Sequence, residues 1–401
     1  MNIPRKIERI SGYRQHFVEV NPVHTPNQKP LPPEPERAIQ EEKKETGIFY
    51  EEFIMADAKK SSPTRAVGVD IGTGFISCAE HVNDKKQFRK VRDAFFRLNP
   101  SKFLEGSANQ FGENMLKTSG AHYVKVDDAL FVLGDDAFKF ANLFHQECLR
   151  PMSKGVLNPK EPVSNLMVEE LIKAVAGLPS SKDDILYYCV PAQPIDDDFD
   201  VEYHKQILQG VFEELGYQNI NVMTEGLAVV YSELAENGYS GIGMSFGAGM
   251  CNIVYSFMGM PVFAFSLSRG GDWIDSHAAK HTDETNNVVT AIKEKGEFDL
   301  FQPSSGIEKA ISIYYDALLT YVVEQFKKLY QDTPKKQLPN VMEPLPIVIA
   351  GGTSLAKGFV ERLRELTAEG FPIPISEIRH AEEPLFAVSN GLYEAARISI
   401  S

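Results

Sequence analysis

The chain has 401 residues, of which 43% are hydrophobic and 24% are charged, so it is long enough to form two or more globular domains. Its 55 acidic and 41 basic residues give a formal net charge of -14, which argues against nucleic acid or an anionic membrane as a general partner. This charge still allows local binding of a nucleotide.

The four cysteines form no CxxC pair and lie near no histidine cluster, which favours reduced core thiols over disulfides or zinc ligands. They are Cys78, Cys148, Cys189 and Cys251. The chain begins without an apolar signal region, and no apolar run approaches the roughly 18 residues that span a bilayer. These features predict a soluble protein of the cytoplasm.

Residues 1–62 are predicted to form a largely disordered extension rich in Pro, Glu and Lys, because residues 20–46 offer almost nothing to bury. Residues 1–19 fit either a frayed terminus or a short amphipathic helix that Gly12 would break. Membrane binding is therefore not expected. The extension is instead a candidate segment for recruiting a protein partner.

From Thr64 onward, short β-rich runs alternate with stretches of helical periodicity, which predicts an α/β fold. The predicted strands are 66–70, 127–134, 184–190, 241–245 and 346–350. The predicted amphipathic helices are 164–178, 203–216 and 307–330.

One strand and turn occurs twice, as GVDIGTGFIS at 68–77 and as GMSFGAGMCN at 243–252. Such a repeat predicts a duplicated domain with two equivalent β-hairpins facing one cleft. Glycines in these turns let backbone N–H groups approach an oxyanion, so two opposed hairpins can clamp a polyphosphate. Asp70 would then lie beside the phosphates and bind Mg²⁺ through water.

The alternative is that each G-x-G marks only a tight hairpin, and for either copy alone this reading would be preferred. Two other routes to nucleotide binding are absent from the sequence. It contains neither a GxxxxGK[ST] loop nor a GxGxxG turn after a strand, which argues against a P-loop protein and a dinucleotide enzyme.

Three stretches resemble the phosphate-1, phosphate-2 and adenosine motifs of the actin/Hsp70/sugar-kinase ATPase superfamily: VGVDIGTGF at 67–75, GMSFGAGM at 243–250 and IVIAGGTSLAKGF at 347–359. RPMSKGVL at 150–157 is similar to a stretch of the bacterial actins related to MreB. Two more resemble the family's interdomain segment and C-terminal helix: NVMTEGLAVVYSEL at 221–234 and EEPLFAVSNGLYEAAR at 382–397. The resemblance covers residues 64–401.

The resemblance implies an actin-like fold, in which two duplicated ribonuclease-H-like α/β domains flank a nucleotide cleft. Domain I would comprise 63–222 plus 376–401, and domain II would comprise 223–375. The implied cofactors are ATP and Mg²⁺.

The first hairpin matches the family pattern. Asp70 matches the aspartate that holds Mg²⁺, and Gly72, Thr73 and Gly74 match the residues that donate to the phosphates. Glu225 falls on the glutamate that positions the attacking water, which makes Glu225 and Asp70 the candidate catalytic residues. The alternative for Glu225 is an ordinary helix N-terminal acid stabilised by the helix dipole.

Further residues match the nucleoside side of the family's cleft. They are Gly270 and Gly271 of the second-domain Gly-Gly pair, Lys293 of the adenosine helix, and Gly351, Gly352 and Thr353 after the strand at 346–350. Thr290 replaces the glutamate that usually bonds the ribose. Asp272 is expected to be a helix cap.

The second hairpin departs from the pattern at four positions: Ser245 replaces the phosphate-2 aspartate, Ala248 a glycine, Met250 a hydroxyl residue and Asn252 an acid. Serine does not accept a proton near neutral pH, and losing a positioned base typically costs about 10²–10⁴-fold in rate. Backbone donors of Gly247, Ala248 and Gly249 would remain. We therefore expect nucleotide binding with weak ATP hydrolysis.

The favoured function is an actin-like protein that binds ATP and Mg²⁺ between two domains and self-associates into cytoskeletal filaments. The alternative is a non-polymerising pseudo-ATPase that acts as a switch or scaffold and recruits partners through its tail. An Hsp70-type chaperone is disfavoured because no peptide-binding domain follows residue 401. A sugar kinase is disfavoured because no substrate-aspartate segment is recognisable.

Overall fold

The computed structural model describes residues 7–8, 64–82, 85–98, 108–127, 129–144, 146, 148–158, 160–161 and 163–400. All the described residues belong to one compact unit. The division into two domains at residues 222 and 375 stays a prediction. The predicted extension, residues 1–62, lies outside the described residues except for Ile7–Glu8.

The elements follow each other regularly along the chain. The first are β1 (Ile7–Glu8), β2 (Ala66–Ile71), β3 (Phe75–Val82), β4 (Lys85–Arg92), β5 (Phe95–Leu98), α1 (Ala108–Ser119), β6 (Tyr123–Val126), β7 (Ala129–Leu133), α2 (Gly134–Leu143), β8 (Met152–Ser153), β9 (Val156–Leu157), α3 (Ser164–Ala176), β10 (Ile185–Val190), α4 (Val201–Glu214) and β11 (Asn219–Thr224). The others are α5 (Glu225–Glu233), β12 (Gly241–Phe246), β13 (Cys251–Phe257), β14 (Met260–Leu267), α6 (Gly271–Thr282), α7 (Asn286–Glu294), α8 (Gly306–Asp332), β15 (Leu345–Ala350), a 3₁₀ helix (Gly352–Leu355), α9 (Phe359–Thr367), β16 (Ile375–His380) and α10 (Ala387–Ile400).

The first sheet has five strands in the order β11-β10-β2-β3-β4. Strands β2, β3 and β4 run antiparallel, whereas β10 runs parallel to both β2 and β11. Helices α3 and α4 cover one face and α10 covers the other. Because both faces are covered, β2 is an almost continuous apolar run without polar alternation.

The second sheet repeats this arrangement in the order β14-β13-β12-β15-β16. Strands β12, β13 and β14 are antiparallel, and β15 is parallel to β12. Helices α6, α8 and α9 enclose the core on one face, while α5 packs on the other. The duplication predicted from the repeated turn is therefore present in the topology.

Helices α5 and α10 join the two sheets. Helix α5 packs on β12 and β13, α10 packs on β2 and β10, and the two helices contact each other. Gly391 permits this approach, because a Cβ there would overlap the carbonyl oxygen of Ala228. Close backbone contact of this kind requires glycine, so the helix crossing depends on that residue.

A smaller sheet has the order β1-β6-β7-β5, and three of its strands, β5, β6 and β7, lie between β4 and β10 in the chain. Ile7–Glu8 pair with Val126 and Lys125 of β6 as a short strand. These two residues are therefore not helical, in contrast to the amphipathic-helix alternative for residues 1–19.

The predicted strands and helices are present, with ends shifted by up to two residues. All four cysteines are free thiols, as predicted. Within the described ranges, no helix has both the length and the apolar character needed to cross a membrane.

Candidate functional site

The two repeated hairpins meet at their tips. In each, the first glycine closes the turn: the Gly72 N–H donates to the Phe75 carbonyl at 3.1 Å, and the Gly247 N–H donates to the Met250 carbonyl at 2.9 Å. These two amides are therefore engaged within their own turns. The amides left to face a ligand are those of Thr73, Gly74, Ala248 and Gly249, which have no intramolecular acceptor among the described residues.

A cavity of about 410 Å³ lies beside these tips, between the two sheets. Gly270 does not line the cavity, but the other predicted site residues do: Asp70, Gly72, Thr73, Gly74, Glu225, Gly247, Ala248, Gly249, Gly271, Lys293, Gly351, Gly352 and Thr353. Ser245 and Met250, two of the departures from the family pattern, also line it. Residues distant in sequence thus form one concave site, as expected for a small-molecule pocket.

The second hairpin is supported by the N-terminus of α6. The Gly271 N–H donates to the Gly247 carbonyl at 3.0 Å, and the Asp272 N–H donates to the Ala248 carbonyl at 2.8 Å. The Thr353 hydroxyl also donates to the Gly247 carbonyl, at 2.8 Å. In a trans peptide the N–H points opposite to the C=O, so the amides of Ala248 and Gly249 are directed away from α6. The α6 dipole polarises these two peptide groups in the direction that suits an anion.

The first hairpin is supported by the stretch at 150–157. The Thr73 hydroxyl accepts a hydrogen bond from the Gly155 N–H at 2.9 Å, and the Gly74 carbonyl accepts one from the Asp93 N–H at 3.1 Å. Asp93 in turn accepts from the Met152 N–H at 3.1 Å. This tip is consequently held by residues far along the chain.

Two half-buried acids, Asp70 and Glu225, line the cavity. Asp70 accepts a hydrogen bond from the Cys189 thiol at 3.1 Å, and the Ser245 hydroxyl donates to Glu225 at 3.3 Å. Burial raises the pKa of Asp70, and the Cys189 bond lowers it in part. Burial and then the Asp70 charge raise the pKa of Glu225. Glu225 is also the first residue of α5, where the helix dipole favours the charged form, so burial and the dipole act on its carboxyl in opposite directions.

This pair suits a magnesium ion that also binds phosphate. The charge of Asp70 raises the pKa of Glu225, and no ion pair within the described residues neutralises either carboxyl. A divalent cation would supply the missing positive charge. The described residues contain no group of three or more His, Cys, Asp or Glu side chains that could enclose a metal. Mg²⁺ commonly binds one or two carboxylates and takes its other ligands from water and phosphate, so the residues present fit it.

The opposite wall contains a buried ion pair. The Lys293 ammonium lies 2.7 Å from Asp275 and donates to the Gly271 carbonyl at 3.1 Å. The Thr290 hydroxyl donates to Asp275 at 2.7 Å. Thr290 therefore supports the acid that orients Lys293.

The prediction that Asp272 is a helix cap is wrong. Gly270 is the N-cap residue of α6, and no side chain caps the helix there. The Asp272 carboxylate accepts two hydrogen bonds from Arg150, at 2.8 and 2.9 Å. The Arg150 side chain is long enough to reach Asp272 from the 150–157 stretch. Its hydrogen bonds to the Asp272 carboxylate take the place of a bond from that carboxylate to the first turn of α6.

Sequence reasoning missed Cys189, Asp275, Arg150 and Lys90, which all contact or line the site. Arg150 opens the quoted RPMSKGVL motif, so it carried a usable signal. Cys189 is the penultimate residue of the predicted strand at 184–190, and the register of β10 against β2 places it beside Asp70. Asp275 and Lys90 belong to none of the motifs recognised in the sequence.

Solved structures similar to this chain share its fold. The structure titled "MamK double helical filament" has a TM-score of 0.62 at 18% identity, covering 82% of this chain and 98% of that one. A non-polymerising A278D mutant of MamK bound to AMPPNP has a TM-score of 0.52 at 18% identity, covering 84% and 100%. MreB5 of Spiroplasma citri bound to ADP has a TM-score of 0.60 at 14% identity, covering 84% and 97%.

These similarities establish the actin-like fold that the sequence resemblance predicted. No curated protein sequence matches the chain. The Volactin profile matches residues 65–396, so the chain belongs to the Volactin family.

Proposed function

We propose that this protein binds ATP with Mg²⁺ in the cavity and self-associates into cytoskeletal filaments, with slow hydrolysis. One observation carries the proposal: two equivalent glycine hairpins hold amides that have no acceptor within the described ranges, beside a cavity that two half-buried acids also line. Amides bind phosphate oxygens, and the acids suit the accompanying cation.

The residues divide by chemistry. Thr73, Gly74, Ala248 and Gly249 would donate to the phosphates. Asp70 would hold Mg²⁺, which when bound neutralises phosphate charge. The nucleoside would lie against the remaining predicted contacts: Gly271, Lys293, Gly351, Gly352 and Thr353.

Slow hydrolysis follows from the environment of Glu225. Its carboxyl is the candidate that would take a proton from the attacking water, and its raised pKa suits that role. Ser245 stands where the family pattern has an acid and can orient Glu225 only through one 3.3 Å hydrogen bond. The site thus offers one positioned base where the family offers two acids.

Filament formation is supported by the similar structures. One is titled a double helical filament of MamK, and another is a mutant described as non-polymerising. Both share this chain's fold, although identities of 18% leave the surfaces free to differ. Self-association is therefore the favoured proposal.

A cytoplasmic location completes the proposal, supported by four free thiols. Residues 1–62 would recruit a protein partner. Neither nucleic acid nor membrane is proposed as a partner, in keeping with the net charge of -14.

The test combines binding with sedimentation. The chain contains a single tryptophan, Trp273, which follows the cavity residue Asp272, so its fluorescence can report nucleotide binding directly. We expect Mg·ATP to change this fluorescence and to move wild type into the high-speed pellet. Asp70→Ala should remain in the supernatant. Absence of any fluorescence or calorimetric response to Mg·ATP would contradict the proposal.

The pseudo-ATPase switch remains the second candidate, favoured by Ser245 at the position of a catalytic acid. The switch, like the filament, would bind Mg·ATP. It would then neither polymerise nor release phosphate. A protein that binds Mg·ATP, stays in the supernatant at every concentration and releases no phosphate would establish the switch over the filament.

A further inference from the structure

Lys90 differs from the other cationic residues that line the cavity. Arg150 pairs with Asp272 at 2.8 Å, Lys293 with Asp275 at 2.7 Å and Arg92 with Asp135 at 3.5 Å. Lys90 makes no ion pair with any residue that the structure describes, yet it lines the same cavity. Within the described ranges, Lys90 is thus the one cationic residue of the cavity without an ion-pair partner.

The strand register places Lys90 in a row with the candidate metal ligand. Asp70 of β2 pairs with Ser77 of β3, and Ser77 pairs with Lys90 of β4. Directly paired residues project to the same face of a sheet, so Asp70, Ser77 and Lys90 share one face. The Ser77 hydroxyl bonds to Ser389 of α10 at 3.0 Å, which identifies this face as the one covered by α10.

Aromatic rings hold the Lys90 ammonium in place. It lies 4.7 Å from the centroid of Phe75 and 5.9 Å from that of Phe386. Phe75 directly follows Gly74 at the tip of the first hairpin, so the ring links Lys90 to the phosphate-facing turn. A cation held by ring faces keeps its N–H donors available to an anion.

The surroundings of this cation favour an anionic ligand. The Arg92 guanidinium lies 4.7 Å from the same Phe75 ring, so two positive groups share one aromatic side chain. Burial lowers the pKa of Lys90, and the charge of Arg92 adds to that effect, although Asp135 and Glu294 oppose it. An anion beside both groups would relieve their repulsion and compensate the lost hydration.

We propose that Lys90 binds the phosphate chain of the nucleotide held between the two hairpins and makes the site prefer polyphosphorylated nucleotides. This inference rests on the proposed function and deepens it. The amides of the hairpins recognise phosphate without adding net charge. Lys90 supplies the charge, so its contribution grows with the number of phosphates.

The experiment compares ATP, ADP, AMP and adenosine at constant Mg²⁺, with wild type and Lys90→Gln, by calorimetry. A hydrogen bond to a charged group is worth about 1.5–3 kcal/mol, which corresponds to a loss of about 10- to 100-fold in affinity for ATP. We expect a smaller loss for AMP, an unchanged affinity for adenosine and near wild-type binding in Lys90→Arg. Lys85→Gln, at the exposed end of the same strand, is the matched control and should bind ATP like wild type.

The outcomes separate the two proposals. If wild type binds ATP and Lys90→Gln binds it equally well, the role of Lys90 is overturned while the proposed function stands. An equal loss for adenosine and ATP, or a lower melting temperature of the variant, would mean that Lys90 only supports the fold. If wild type binds none of the four ligands, both proposals fail.

Discussion

The two hairpins at the cavity have the same backbone and different chemistry. Each closes its turn with a hydrogen bond from the first glycine, Gly72 or Gly247, to the carbonyl three residues later. Each turn follows a strand at an equivalent place in its sheet: β2 lies between β10 and β3, and β12 lies between β15 and β13. At equivalent positions, however, the first hairpin carries Asp70 and the second carries Ser245.

This difference shows that a duplicated backbone can serve two purposes. The first hairpin retains an acid, supported by Cys189, that can hold a cation. The second provides amides backed by the N-terminus of α6 and a hydroxyl that bonds to Glu225. An anion site made of backbone amides does not depend on the side chains beside it, whereas acid chemistry does.

The largest expected effect comes from comparing the equivalent positions directly. Asp70→Ala should lower phosphate release from Mg·ATP by about 10²–10⁴-fold, because it removes the candidate cation ligand. Ser245→Ala should lower it less than about tenfold, because it removes one neutral hydrogen bond to Glu225. Phosphate release at saturating Mg·ATP provides the measurement. Equal losses in both variants would contradict the asymmetry.

A second comparison concerns the cores of the two sheets. Among the described residues, His204 on α4 is the one fully buried histidine, and it belongs to the first sheet. Its Nδ1 accepts from the Leu157 N–H at 3.3 Å, and burial lowers its pKa to about 4. An unfolded histidine has a pKa of about 6.5.

Between pH 6.5 and 4, the unfolded chain therefore binds a proton at His204 that the folded chain does not. The contribution of His204 to the free energy of unfolding should therefore fall by about 3 kcal/mol as pH falls through this window. Below pH 4 this contribution should stay constant. His204→Asn keeps an acceptor near the Nδ1 position and should remove this part of the slope. Urea unfolding of both proteins at pH 7, 5 and 4 measures the difference, and parallel curves would refute it.

A third comparison uses the last glycine of each turn. A Cβ at Gly249 would lie 2.8 Å from the Gly155 nitrogen and closer still to the Thr73 hydroxyl, whereas one at Gly74 would lie 3.2 Å from the Ala248 Cβ. Gly249→Ala should therefore destabilise the protein by about 2 kcal/mol, and Gly74→Ala by less than about 1 kcal/mol. Thermal melting without ligand gives both values. The reverse order would mean that the tips are not in contact in solution.

The sequence predicted the parts of this molecule that depend on local pattern. Apolar strands followed by G-x-G turns identify both hairpins, because such turns need glycine and buried parallel strands need continuous apolar runs. The candidate site residues also converge in one cavity, since the duplicated topology brings both tips together.

Contacts between distant segments were not predictable. Arg150 and Asp272 are far apart in the chain, and a Gly-Gly-Asp sequence at a helix start favours a cap when considered locally. Cys189 beside Asp70 depends on the register of β10 against β2, and Lys90 on that of β4 against β3. Such positions follow from strand pairing, which one sequence does not specify.

The smallest expected effect comes from making the two hairpins alike. Ser245→Asp would return an acid to the second hairpin, and we expect it to raise phosphate release by about tenfold. The gain should be only a fraction of what a positioned acid can give, because Ala248, Met250 and Asn252 remain unchanged around it. The same variant should be less stable without ligand, because the charge of Asp70 already raises the pKa of Glu225 and a third carboxylate would add to this repulsion.

Mg²⁺ and nucleotide should reverse that loss of stability, since a cation satisfies all three acids. Ser245→Asn is the matched control, because it has nearly the same size without the charge and should not gain activity. If Ser245→Asn gains as much as Ser245→Asp, side-chain volume is responsible and the missing carboxylate is not. If neither gains, Glu225 alone determines the rate, and the second hairpin contributes only its backbone.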